Sequence, residues 1–231
     1  MTIKVSHESP IALLPESVEY NDYQYCLVHL MEEQEEYKEW FLEKYRAKVP
    51  NGEILLDNSI FELKEAFDSE KYAVWCEKIQ PNYYIVPDVL ENGPATISNF
   101  QGFVANYGNL PGARIGAVQG KTWTEVVECY RFMKRNADYI AISFDFSMYQ
   151  ITGNSISWAD SDPKLKRQAT GRQNLVKRLI DEGEWEWDKP HHLLGASLAS
   201  EFKWYVDNNI YNIRSLDTSN PVVANAGPTS V

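Results

Sequence analysis

The feature that most constrains the fold of this chain is a repeated pairing of a short apolar run with a helical pattern. Each apolar run is rich in β-forming residues and ends in a polar or acidic side chain. Strands that alternate with helices form right-handed βαβ units and a parallel sheet. The repeat predicts a single (β/α)8 TIM-type barrel domain over residues 1–231. Its strand segments are 3–10, 25–30, 53–59, 83–88, 114–120, 138–145, 191–197 and 213–223.

The end of the chain leaves the last barrel unit open to two explanations. Pro221 stops the eighth strand and fixes the turn after it. Residues 222–231 contain few helix-forming side chains. Either the final outer helix is absent or the chain is truncated at this end.

Charge and cysteine content exclude several classes of protein. The net charge of -11 argues against a chain that coats nucleic acid with its whole surface, although a local basic patch is compatible with it. The three cysteines, Cys26, Cys76 and Cys129, show neither metal-ligand spacing nor a disulfide framework, which is typical of a reducing compartment. The sequence shows no signal-peptide pattern and no apolar run of about 18 residues. A cytoplasmic protein without a membrane partner is therefore expected.

The residues that close the apolar runs are the candidates for chemistry, because a (β/α)8 barrel gathers its strand ends on one face. Five of them are carboxylates, and the others are an amide, imidazoles and small polar groups. This set suits a ligand that donates hydrogen bonds, such as a guanine-like edge, and it suits two acids that act as nucleophile and acid/base. The bland alternative is that some of the aspartates cap the helices that follow them. The set comprises His7, Glu8, His29, Asp57, Asp88, Gln119, Ser143, Asp145, Ser197 and Asp217.

The order of the motifs at these strand ends resembles a known family. It is similar to the queuine and archaeosine tRNA-ribosyltransferase superfamily, the tRNA-guanine transglycosylases. The similarity is greatest to short phage-encoded relatives, which include DNA 7-deazaguanine transglycosylases. The motifs that carry the resemblance are LDNSIF at 56–61, VPD at 86–88, AVQG at 117–120, ISF at 142–144, HLLG at 192–195 and LDTSNP at 216–221.

The resemblance implies a base-exchange reaction and assigns a role to each motif. Asp217 would attack C1′ of a nucleotide and form a covalent glycosyl-enzyme, and Asp57 would handle the protons of the departing and incoming bases. No cofactor is implied. The substrate-binding residues would be Asp88, Gln119, Gly120, Ser143 and Phe144, with Phe61 covering the face of the base.

The resemblance also implies the partners. They would be a nucleic acid and a purine-like base, and the phage relatives favour DNA over tRNA. A base inside a duplex would have to be flipped out to reach the mouth of a barrel. A homodimer is expected only because members of the family often dimerise, since the sequence itself contains no dimer motif.

The chain departs from the family at three places. The cysteine cluster that binds zinc in the family is missing. Ser59 and Ile60 replace one pair of glycines, and Ile142 and Ser143 replace another. Side chains then occupy space where the backbone would meet the base, so the pocket is expected to be narrower or shaped for another group.

A basic segment in the acidic background bears on the nucleic-acid partner. Lys164, Lys166, Arg167 and Arg172 fall in a helix predicted over 164–182, where they could neutralise phosphates. An ordinary solvated helix that balances nearby acids is an equal alternative. Trp185 and Trp187 follow the helix and are expected to pack in the core rather than to stack on bases.

Two other functions remain open from the residues alone. A metal-dependent barrel hydrolase could use His7, Glu8, His29, Asp57 and Asp88, although no close pair of metal ligands lies on one strand. A non-catalytic barrel that binds a nucleotide or a partner protein would account for the replaced glycines. His191 and His192, which open the seventh strand, are expected to be structural.

Overall fold

The computed structural model of the protein describes residues 2–144, 147, 149 and 163–219. Within these ranges eight parallel strands form one sheet in the order β1-β8-β7-β6-β5-β4-β3-β2. The nearly closed sheet, with helices between successive strands, confirms the predicted (β/α)8 TIM-type barrel. The strands are β1 (Lys4–His7), β2 (Gln24–Leu27), β3 (Ile54–Asp57), β4 (Tyr83–Ile85), β5 (Ala113–Val118), β6 (Tyr139–Ile142), β7 (His191–Leu193) and β8 (Ile213–Thr218).

The seam between β1 and β2 is closed by polar side chains. The backbone N–H of Val5 donates to Asp22 Oδ2 at 2.8 Å, and that of His7 donates to Asn21 Oδ1 at 2.7 Å. From the other side, the N–H of Tyr25 donates to Ser6 Oγ at 3.1 Å. These bonds satisfy backbone groups that an open strand edge would leave unpaired. The barrel therefore closes without a ladder between its first and second strands.

The helices occupy the connections between the strands. They are α1 (Leu14–Ser17), α2 (Val28–Glu33), α3 (Glu35–Glu39), α4 (Tyr45–Lys48), α5 (Ile60–Leu63), α6 (Ser69–Ile79), α7 (Gly93–Tyr107), α8 (Trp123–Asn136), α9 (Pro163–Asp181) and α10 (Ala199–Asp207). A π-helical turn over Trp40–Lys44 joins α3 to α4. Thr122 caps α8, because its side chain accepts a hydrogen bond from Glu125 N at 3.3 Å. No helix in the described ranges has the length and apolar character needed to cross a membrane.

Several predicted boundaries were wrong. The second strand ends at Leu27 and α2 starts at Val28, so His29 lies on a helix. The helix predicted over 61–78 is two helices, because the left-handed backbone of Lys64 ends α5. Strand β4 ends at Ile85 because Pro87, which has no N–H to donate, interrupts the ladder before Asp88. Asp145, the polar segment predicted over 147–163 apart from residues 147, 149 and 163, and the tail after Ser219 with its uncertain last helix lie outside the described residues.

The hydrophobic core has an outer layer between strands and helices and an inner layer inside the barrel. Alternate residues of a strand point to opposite faces, so the inner layer takes every second residue. Leu55 belongs to it, and Asp57, two positions later, reaches the carboxyl end of the barrel on the same face. Ser215 and Asp217 repeat this relation on β8. The inner layer consists of Tyr23, Tyr25, Leu55, Ile85, Ile115, Ala117, Tyr139 and Ala141.

Candidate active site

A cavity of about 330 Å³ opens above this inner layer, at the carboxyl ends of the strands. Most of the predicted site residues line it although they come from distant parts of the chain. Acids separated by up to 160 positions, Asp57 and Asp217, therefore face one enclosed space. Their chemical roles stay predictions at this point. The predicted residues in its lining are Asp57, Phe61, Asp88, Gln119, Ser143, Phe144 and Asp217.

Gly120 was predicted in the substrate-binding set, but it does not belong to the described lining of the cavity. A Cβ atom added there would lie 2.8 Å from Val126 N and 2.9 Å from Glu125 Cβ. The glycine therefore allows β5 to approach the start of α8 closely. Gly120 therefore has a packing role next to Gln119, and its assignment to substrate binding stays a prediction.

Asp217 is held from both sides near the end of β8, with only 2% of its surface exposed. The backbone N–H of Gly195 donates to Oδ2 at 3.0 Å, and His192 Nε2 lies 2.9 Å from Oδ1. Gly195 has a φ of 60°, in the left-handed region that favours glycine, which turns its N–H toward the carboxylate. The orientation of Asp217 is therefore fixed by neighbouring strand β7.

A chain of hydrogen bonds continues behind this carboxylate. His192 Nδ1 lies 2.9 Å from Ser215 Oγ, which lies 2.9 Å from the hydroxyl of Tyr139. One assignment of protons satisfies every member: Tyr139 donates to Ser215, Ser215 donates to Nδ1, and Nε2–H donates to Asp217. His192 was expected to be structural, and its contact with Asp217 places it at the site instead.

Glu8 is a second acid beside Asp217. It follows β1 directly, its N–H donates to Thr218 O at 3.0 Å, and its side chain lines the cavity. Burial, the charge of Asp217 and a hydrogen bond with Asp217 raise the pKa of Glu8 to about 9. The sequence analysis placed Glu8 among the strand-end residues that converge on one face, but it gave Glu8 an individual role only as a metal ligand. Its position two residues beyond the inward-facing Ser6 is the signal that could have placed it in the cavity.

Asp57 lies in a different environment between the two sides of the cavity. Burial is the first cause that raises its pKa well above the usual range, and the charge of Glu62 on α5 is the next. A hydrogen bond from Ser59 N to Oδ2, at 2.7 Å, and one from Tyr25 partly offset these effects. Asp57 therefore keeps its proton at a pH where an exposed aspartate is ionised.

Asp88 is surrounded by amides. Asn58 Nδ2 donates to its Oδ1 at 2.7 Å, and Gln119 Nε2 donates to its Oδ2 at 2.6 Å. The carbonyl oxygen of Gln119 in turn accepts from Glu91 N at 2.9 Å, which fixes the orientation of the amide. Burial raises the pKa of Asp88 despite these bonds. Each carboxylate oxygen retains acceptor capacity for a ligand, because it has two lone pairs.

The residues that replace the glycine pairs affect the cavity unequally. Ser59 keeps a left-handed backbone with φ of 57°, and its hydroxyl accepts from His29 N at 3.3 Å, away from the cavity. Ile142 packs in the outer core. Ile60 and Ser143 do line the cavity. The expected narrowing therefore comes from one side chain of each pair.

Phe61 offers an exposed aromatic surface at the cavity. Its side chain lines the cavity while 54% of its surface is exposed, and Lys64 Nζ lies 3.7 Å from the ring centroid. An aromatic ring in this position can stack on a planar ligand.

Arg172 was predicted to contact a nucleic-acid backbone, and this was wrong. It is 0% exposed and forms a bidentate ion pair with Glu201 on α10, at 2.7 and 3.0 Å. Its Nη1 also donates to the carbonyl oxygens of Ile142 at 3.2 Å and Leu194 at 2.6 Å. Arg172 therefore ties the ends of β6 and β7, which form part of the cavity wall, to the outer helices.

The predicted contact of the remaining basic residues with nucleic-acid phosphates is not tested by the structure. Lys164 is exposed on α9, and Lys166 and Arg167 are half-buried. None of the three belongs to the described lining of the cavity. They remain candidates for contacts with phosphates outside it.

The aromatic and histidine pair after α9 packs as expected. Trp185 is buried and stacks on His191 with ring centroids 3.9 Å apart. Burial lowers the pKa of His191 to about 3, so its imidazole is neutral. Both side chains stabilise the outer core and do not line the cavity.

Of the five residues of the metal-hydrolase alternative, the three acids line the cavity and the two histidines do not. His7 Nδ1 lies 2.9 Å from Asn21 Oδ1, and its ring packs edge-on against Tyr20. His29 lies on α2. Neither histidine lines the cavity, and the described residues contain no group of three or more His, Cys, Asp or Glu placed to hold a metal ion. This form of the metal hypothesis is therefore wrong.

The charge of the cavity selects the ligands that it can accept. Glu8, Asp57, Glu62, Asp88 and Asp217 line it, whereas the described lining contains neither lysine nor arginine. Such a surface favours a ligand that donates hydrogen bonds and disfavours a phosphate inside the cavity.

Comparison with known proteins supports the fold. No protein-family model matches the chain, and no curated protein sequence matches it either. Among solved structures, the chain is similar to an HpcH/HpaI aldolase from Desulfitobacterium hafniense DCB-2, with a TM-score of 0.55 and 10% sequence identity. The match covers 97% of this chain and 89% of the aldolase. At this identity the similarity shows a shared barrel fold alone.

Proposed function

We propose that this chain is a glycosyl-transfer enzyme that exchanges a base in nucleic acid, with Asp217 as nucleophile and Asp57 as acid/base. One observation carries the proposal: a single cavity holds two carboxyl groups in contrasting environments. Asp57 retains its proton because its pKa is raised, while Asp217 accepts hydrogen bonds from His192 and Gly195. Two carboxyls in contrasting environments can divide the roles of acid and nucleophile.

The exchange would take two steps. In the first, an Asp217 oxygen forms a bond to C1′ of the nucleotide, the bond from C1′ to the base breaks, and Asp57 gives its proton to the departing base. In the second, Asp57 takes a proton from the incoming base, whose nitrogen then bonds to C1′ and releases Asp217. The proton and the carboxylate are both restored at the end of the cycle.

Recognition of the base would fall to the opposite side of the cavity. Asp88 and Gln119 present acceptor atoms in a fixed orientation, and Phe61 presents an aromatic face. The acidic lining would keep the phosphates outside, so a base in a duplex must be flipped into the cavity. Lys164, Lys166 and Arg167 are the candidates to contact those phosphates. DNA as the preferred substrate and a homodimer as the assembly rest on the family resemblance.

Mass spectrometry of nucleosides tests the proposed reaction. DNA and tRNA are each incubated with the protein and an isotope-labelled guanine or 7-deazaguanine base, and the label in the digested nucleic acid is measured. Label is expected with the wild type and absent with Asp217→Asn. Asp138→Asn is the matched control, because Asp138 forms an ion pair with Arg114 at 3.0 Å outside the cavity.

Two outcomes would refute base exchange by Asp217. Equal incorporation of label by Asp217→Asn and wild type would show that Asp217 is not the nucleophile. Tight binding of nucleotides with no exchange in either nucleic acid would instead favour the non-catalytic barrel.

A further inference from the structure

Glu8 occupies a defined place next to the proposed nucleophile. In the register of β1 and β8, Ser6 pairs with Asp217, and the N–H of Glu8 donates to Thr218 O at 3.0 Å. Because alternate residues share a face, Glu8 points inward one level above Ser6. Its carboxyl is consequently within hydrogen-bonding reach of the Asp217 side chain at the cavity.

The described lining of the cavity around Glu8 contains no lysine or arginine to balance a second carboxylate. The groups that act on it are Asp217 of β8, Asp57 of β3, Glu62 of α5, and the phenols of Tyr23 and Tyr25 at β2. All of them are acidic or neutral. Two ionised carboxylates in contact would repel each other strongly in this partly buried space, whereas a neutral acid can donate a hydrogen bond to its neighbour.

We propose that Glu8 is a positioning residue that acts through Asp217: as a neutral acid it donates the hydrogen bond that, with His192 and Gly195, fixes the carboxylate for attack. Its loss of a proton replaces this bond with repulsion and stops the reaction. The inference rests on the proposed function of Asp217 as nucleophile.

The pH dependence follows from the direction of the shift. The pKa of Glu8 is raised to about 9, so the donor form is present at pH 7 and is lost as the pH rises through that value. Asp57, whose pKa is also raised, contributes to the same alkaline loss. A glutamine at position 8 keeps an N–H donor without titrating, so it removes the part of the loss that belongs to Glu8.

The kinetic test compares two substitutions. Glu8→Ala removes the donor, and we expect kcat to fall about 10- to 100-fold with little change in KM. Glu8→Gln should restore most of kcat at pH 7 and lose less activity than wild type at alkaline pH. Glu19→Gln, an exposed glutamate, is the matched control. Equal kcat and equal pH profiles for all these proteins would overturn the role of Glu8 while leaving base exchange intact.

Infrared spectroscopy tests the neutral acid without relying on activity. At pH 7 the carbonyl stretch of protonated carboxyls should be stronger in wild type than in Glu8→Gln, and this difference, the Glu8 band, should disappear with a midpoint near pH 9. In Asp217→Asn the Glu8 band should disappear at a lower pH, because one cause of the raised pKa is removed. No band lost in Glu8→Gln would overturn the inference. If the Glu8 band is present but wild type exchanges no base, the proposed function is refuted, and the positioning role of Glu8 is refuted with it.

Discussion

Each of the two sides of the cavity buries a carboxyl group, but the hydrogen-bonding neighbours of that carboxyl differ between the sides. We call Asn58, Asp88 and Gln119 the amide wall, and Glu8, His192 and Asp217 the acid wall. Asp88 and Asp217 are each 2% exposed. Asp88 accepts from two neutral amides, whereas Asp217 accepts from an imidazole and a backbone N–H and contacts a second acid.

Under the proposed function, neighbours rather than burial separate the recognition group, Asp88, from the reactive one, Asp217. Asn58 and Gln119 do not titrate, so the amide wall keeps its two donors to Asp88 over a wide pH range. The acid wall contains Glu8, whose pKa is raised to about 9, so its hydrogen-bonding pattern changes as the pH rises through that value. Substitutions in the amide wall should therefore change binding, and substitutions in the acid wall should change the rate of the chemical step.

The largest effect is expected for Asp57, which lies between the two walls. Asp57→Asn removes the acid/base, and kcat should fall by about 10²- to 10⁴-fold. Because burial raises the pKa of Asp57 and the proposed reaction needs its acid form, wild-type activity should decline as the pH rises through that raised pKa. Steady-state exchange rates measure both effects, with Asp138→Asn as the control. A fall no larger than that of the control would show that Asp57 is not the acid.

The next effect tests the acid wall. His192→Leu removes a donor to Asp217, and we expect kcat to fall about 10- to 100-fold while KM changes little, since a hydrogen bond to a charged group is worth about 1.5–3 kcal/mol. His7→Leu is the control, because His7 faces Asn21 and Tyr20 instead of the cavity. Thermal unfolding checks that both variants fold. A change confined to KM would place His192 in substrate binding.

A smaller effect of the opposite kind is expected in the amide wall. Gln119→Met removes the donor to Asp88 and the acceptor for Glu91 N, so KM should rise about tenfold with a smaller change in kcat. The exposed Gln34→Met provides the control. If kcat fell while KM stayed constant, the division of labour between the walls would be wrong.

The smallest effect concerns stability. Since the folded pKa of Glu8 is raised above its ordinary value of 4.5, the folded state holds a proton between pH 4.5 and about 9 that the unfolded state has lost. Stability is therefore lost as the pH rises through this window. Glu8→Gln should therefore lose less stability than wild type between pH 4 and pH 8. Urea unfolding at the two pH values measures this, and identical pH dependence would contradict it.

The fold and the direction of the main acids could be predicted from the sequence. The alternation of apolar runs and helical patterns predicts the barrel. Because every second residue of a strand points to the same face, Asp57 and Asp217 lie on the inner face of the sheet. The same period explains the error at the histidine pair. His191 and His192 have almost the same local sequence, yet adjacent strand residues face opposite sides, so one stacks on Trp185 and the other meets Asp217.

Pairings between distant residues could not be predicted. Arg172 lies in a basic stretch, and its local sequence predicts a solvated side chain. Its partner Glu201 is 29 positions away on the next helix, and only the packing of α9 against α10 brings them together. Glu8 and Asp217 are separated by nearly the whole chain and meet because β1 pairs with β8.

Covalent trapping tests the central claim most directly. The protein is quenched in acid during turnover on a DNA oligonucleotide, digested, and mapped by mass spectrometry. We expect an oligonucleotide that lacks one base to be linked through its sugar to the peptide that contains Asp217, and we expect no such adduct in Asp217→Asn. An adduct on Asp57 or Glu8, or full base exchange with no adduct at Asp217, would contradict the claim.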